Sequence, residues 1–187
     1  MDFLNKMRTA LKNQTVSKDQ KFAEKLVDAA MGATDTLFQK LGQANLAAEP
    51  RKVGMVSLEF LCLYLHRVER LVKTTAAAGL PPTFLDSLTV TVANVYADQM
   101  WAGSKKQFEE FFKARYAERA RYYNAYKIFA YDDAPLSTNT VINAFGKLLS
   151  SNLRRENDNV IVAAAYQVQE EVFKGHNLAG ALKEMAK

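Results

Sequence analysis

The sequence predicts an all-α protein, a single-domain bundle of six to seven helices spanning residues 1–187. Three observations lead there. Apolar residues recur at three- and four-residue spacing through almost every segment. The helix breakers fall between those segments rather than inside them. Strand-like and helical patterns never alternate, so no βαβ unit is read. Segments with one apolar face each are stable only when packed together, and a bundle does that most simply.

The first predicted helix, about residues 2–13, gathers Phe3, Met7, Ala10 and Leu11 on one side. The second opens at Ser17 with Gln20 three residues on, the spacing of a capping box. It runs through Phe22, Leu26, Ala30, Leu37 and Leu41 and is expected to close at Gly42. After the linker QANLAAEP, a third runs from residue 51 or 56 to 78, where Gly79 and the Pro81-Pro82 pair stop it. The fourth covers about 83–101. Its LTVTV stretch alternates like a strand, but Leu85, Leu88, Val92, Val95 and Tyr96 keep helical spacing. A long fifth helix follows Ser104 and reaches about residue 131, ended by DDAP; a sixth covers about 137–152. Asn157 or Asp158 caps a seventh that breaks at Gly175, and Leu178, Ala181, Leu182 and Met185 form a short amphipathic tail.

Composition removes several function classes. Hydrophobic residues are 49% of the 187 and charged residues 24%, with 8 Gly and 4 Pro, which excludes disordered and collagen-like chains. Cys62 stands alone, so neither an internal disulfide nor a cysteine-based zinc site is possible, and a reducing, cytoplasmic setting is expected. Asp2, Asn5, Lys6 and Arg8 interrupt what would be the apolar stretch of a signal peptide. No uncharged apolar run approaches the ~18 residues of a membrane span.

Motifs for catalysis are missing. The closest glycines, Gly175 and Gly180, enclose HNLA and precede no Lys-Ser or Lys-Thr, so no phosphate loop is read. Neither G-x-S-x-G nor H-E-x-x-H occurs. A di-iron carboxylate bundle needs Glu three residues before its histidines, and those positions hold Leu63 before His66 and Phe173 before His176. Neither metal nor cofactor is expected. Net charge is +5, but basic runs never exceed two residues and alternate with acids. Nucleic-acid binding is disfavoured on that ground.

Two constellations remain. In the third predicted helix Phe60, Leu61, Tyr64, Leu65, Val68, Leu71 and Val72 share one arc, while Glu59, His66, Arg70 and Lys73 share the opposite one. That reads as a solvated or salt-bridged polar face, with Cys62 and Leu63 beside it implying partial cover by another helix or a second subunit. In the fifth, Phe108, Phe112, Tyr122, Tyr123, Tyr126 and Phe129 form an aromatic stripe with Arg115 and Arg119 at its centre. A guanidinium cannot shed its charge, so inside such a stripe it must meet an anion, stack on rings or reach the surface.

An internal carboxylate could meet the two arginines, with Asp98, Asp86 and Glu59 as candidates. In the functional reading Arg115 and Arg119 are a fork for a bound carboxylate or phosphate, walled by Tyr122, Tyr123 and Tyr126. Accordingly the expected function is a non-enzymatic helical module that binds an anionic small molecule or an acidic partner segment, with homodimerisation possible. The alternatives are an enzyme using His66 with Glu59 and Glu69 as acid/base groups beside Arg70, and a purely structural or oligomerisation protein.

Overall fold

The computed structural model describes residues 17–46, 49, 52–74, 80–126 and 140–186. Among them the chain forms seven helices: α1 (Lys18–Gln43), α2 (Val53–Thr74), α3 (Phe84–Met100), α4 (Lys105–Asn124), α5 (Val141–Asn152), α6 (Asn159–Gly175) and α7 (Leu178–Met185). The all-α class is as expected. The predicted helix at 2–13, the Ser137 start and Phe129 all lie outside the described residues.

Local chemistry sets several boundaries. Ser17 caps α1 by accepting from the Gln20 amide at 3.1 Å, and Asp158 caps α6 by accepting from Val160 at 2.9 Å. Thr140 caps α5 through the Asn143 amide at 3.1 Å. Gly42 does not close α1. The helix runs one residue further, and the left-handed turn that ends it is made by Asn45, at φ 55°. α4 ends at Asn124, seven residues before the sequence expectation, so Tyr126 sits in the turn beyond it. LTVTV is helical throughout, because Leu88, Val92 and Val95 have a core to face.

α1 packs against α2, α3, α6 and α7, and Ala23, Ala29, Ala30 and Ala33 leave room for that close approach. α2 is the central helix. Every residue from Glu59 to Val68 is buried, with α1, α4 and α5 packed around it. Phe60 meets Phe145 edge-on at 5.0 Å and Tyr64 lies 5.8 Å from Phe173, so one apolar cluster joins α2 to α5 and α6. On α4, Phe108 stacks on Tyr96 of α3 at 5.3 Å, with Phe112 one turn further on. Trp101 leans on Phe108 at the same distance but remains 46% exposed. Among the described residues no helix is long and apolar enough to cross a membrane.

Candidate functional site

Because the middle of α2, residues 59–68, is enclosed on all sides, its polar residues cannot form a solvated face there. The solvated branch of that expectation is corrected for Glu59 and His66, which are both 0% exposed, whereas the salt-bridged branch, with cover from another helix, holds for Glu59; Arg70 is half-buried and Lys73, in the last turn, is exposed. The buried polar groups instead turn toward the neighbouring helices. Ser57 shares a 2.7 Å hydrogen bond with the Tyr96 hydroxyl of α3. Arg67 donates to Gln169 on α6, lies 3.3 Å from Glu170, and stacks 3.6 Å above the Phe173 ring.

Glu59 faces α4 and is the carboxylate that meets the two arginines. Arg119 grips it side-on, Nε donating to Oε2 at 2.7 Å and Nη2 to Oε1 at 3.0 Å. Arg115 donates Nη2 to the same Oε1, and Asn152 of α5 adds a contact at 3.4 Å. Of the other candidate partners, Asp98 pairs with Lys105, and Asp86 is exposed at the start of α3.

The remaining donors of the fork point outward. Arg119 Nη1 donates at 2.8 Å to Oε1 of Glu118, and Arg115 Nη1 lies 3.5 Å from its Oε2. Glu118 is 59% exposed and Arg115 25%. Two guanidiniums thus bridge an enclosed carboxylate and an open one, and the four charges balance. Burial alone would favour loss of the Arg119 proton, but Glu59 and Glu118 outweigh it and hold its pKa above the ordinary arginine value.

The tyrosines divide. Tyr123 is fully buried, its ring 5.4 Å from that of His66, and burial raises its pKa well above normal. Tyr122 is partly exposed, not in the apolar face; it meets the Tyr126 ring edge-on at 5.4 Å, with the hydroxyls 3.4 Å apart. Burial, then the Tyr126 hydroxyl, push its pKa up to about 12.

His66 lies 3.9 Å from Glu69, whose carboxylate accepts from the Tyr116 hydroxyl at 2.6 Å and from Lys73. Burial disfavours the Glu69 charge, but those two hydrogen bonds outweigh it and hold the carboxyl below its usual value. Glu69 and Tyr116 line a groove of about 440 Å³ with Asp86 and Lys113. His66 and Glu59 do not reach it, so the acid/base trio is not assembled at a common opening.

Burial lowers the His66 pKa to about 4, with Glu69 only partly offsetting it and Arg70 and Lys73 reinforcing it. An unfolded chain takes up this proton near pH 6.5, the native state only near 4. Between those values the unfolded state holds more protons, so stability falls as pH falls. We expect a loss of roughly 1–2 kcal/mol across that window in urea titrations, and a flatter profile for His66→Gln. Equal slopes for the two proteins would mean that His66 protonates without penalty.

No family model, curated protein or solved structure matches the chain. Sequence reading named Arg115 and Arg119 but missed Glu118, although its positions three after one and next to the other were a visible signal. Asn152 and Tyr116 were missed because their contacts cross between helices far apart in the chain.

Proposed function

We propose that the protein is a non-enzymatic helical module that binds an anionic group at the outer side of the Arg115/Arg119 fork, in the place Glu118 occupies. The group is carried by a small molecule or an acidic partner segment, which a second copy in a homodimer could supply. One observation carries this reading: the fork holds an exposed carboxylate with donors that Glu59 does not use. A solvent-exposed ion pair contributes only about 0–1 kcal/mol, so an incoming carboxylate or phosphate can replace Glu118 at little cost. Glu59 stays in place and keeps the Arg119 head oriented, which lowers the ordering cost of binding. Tyr122 keeps its proton at neutral pH, consistent with a donor at the rim beside Tyr126. Tyr123 and the inner donors of Arg119 support the site from within. A single buried cysteine accords with a cytoplasmic setting.

Calorimetric titration with inorganic phosphate and with a short poly-glutamate peptide tests this. Glu118→Ala, which removes the internal competitor, is expected to bind one of them about two- to fivefold more tightly than the parent, the equivalent of up to about 1 kcal/mol. Arg115→Met is expected to abolish the gain. Heats at the level of dilution for all three proteins would reduce the cluster to an internal ion network.

A further inference from the structure

A second groove lies on another part of the molecule, between the first turns of α1 and the end of α7. Its floor is apolar: Phe22 is buried, and Ala181 and Met185 pack beside it. Its rim is basic, because Lys18, Lys21 and Lys25 are spaced i, i+3, i+7 and fall with Phe22 on one face of α1. All three lysines are exposed, and none is ion-paired among the described residues. The single acidic lining residue is Glu184, leaving a lining charge of +2 (three Lys, one Glu). Elsewhere Lys73, Lys113 and Lys174 each pair with a glutamate one turn away; here three lysines gathered on one face share no such partner among the described residues.

We propose that this groove binds a free medium-chain fatty acid, its carboxylate among Lys18, Lys21 and Lys25 and its chain along Phe22, Ala181 and Met185. An apolar floor under a cationic rim fits an anion with an aliphatic tail better than a bare anion, for which Phe22 and Met185 offer nothing. Size limits the tail. An apolar cavity of about 150 Å³ holds benzene, so at the same ratio 260 Å³ takes about ten heavy atoms, the number in an eight-carbon carboxylate. A helical peptide would need anchors along several turns, and this floor offers three side chains.

The test is calorimetric titration of the full chain with sodium octanoate below its micellar range. Octanoate is expected to bind with a sub-millimolar Kd, and butanoate at least about tenfold more weakly, because its tail covers less of the floor. Lys21→Glu is expected to weaken octanoate at least about tenfold by reversing a rim charge, and Lys21→Gln by less. Lys21 is exposed, so neither substitution should disturb folding, which circular dichroism checks. Arg115→Met should bind octanoate like the parent, separating this groove from the fork on α4. Equal affinities for octanoate and butanoate, indifference to Lys21→Glu, or no heat at all would each overturn the assignment.

Discussion

Glu59→Gln is expected to lower the unfolding free energy by about 3–5 kcal/mol, measured by urea denaturation at pH 7. Glu59 is fully enclosed and accepts from both Arg119 and Arg115. Glutamine keeps the shape but not the charge, and it leaves the buried Arg119 head with only the exposed Glu118 as its counter-ion. The effect is the cost of stranding a charge, not the worth of the pair. That distinction is testable, because replacing a buried ion pair by apolar residues of similar size is often neutral or stabilising. The double variant Glu59→Leu with Arg119→Met should therefore recover most of what Glu59→Gln loses. A Glu59→Gln protein within about 1 kcal/mol of the parent would contradict this account and imply that water reaches the cluster.

Gly146→Ala is expected to cost about 3 kcal/mol, at the upper end for overpacking. In α5, a Cβ at residue 146 would lie 2.9 Å from both Cα and Cγ1 of Val162 on α6. One of those atoms is backbone, so relief requires the two helices to separate. Helix propensity acts the other way by about 1 kcal/mol in favour of alanine, which makes the sign informative. Gly32→Ala in α1 is the control: nothing lies within 4 Å of its Cβ position, so it should stabilise by about 0.5–1 kcal/mol. Should Gly146→Ala also stabilise, the close crossing of α5 and α6 would be wrong.

Helix identity was legible because hydrophobic period and capping are properties of neighbouring residues. Ser17 and Asp158 acted where their types predicted. Gly42 failed as a stop because glycine permits a left-handed turn without requiring one, and Asn45 took it. The wheel of α2 left two outcomes open, a solvated face or a salt-bridged one under partial cover. A wheel shows one helix and not its neighbours, and α2 is covered by α4 and α5 on the side that holds Glu59, and by α4 at His66, so the covered outcome is the one that occurs there. The same wheel on α4 placed Arg115 and Arg119 beside a buried carboxylate, yet put Tyr122 in the apolar face, where among the described residues it is 37% exposed.

By itself the sequence determined that the chain is helical, where most helices begin, and that two arginines on α4 must meet an anion, stack on rings or reach the surface, since a guanidinium stays charged at any ordinary pH. Only the tertiary structure decided which carboxylate answers them. Glu59 lies 56 residues from Arg115 and 60 from Arg119, and nothing in the spacing along the chain ranks it above Asp86 or Asp98. The crossing of α2 and α4 does, by carrying Glu59 out of water, where a carboxylate can persist as an ion only in contact with an opposite charge.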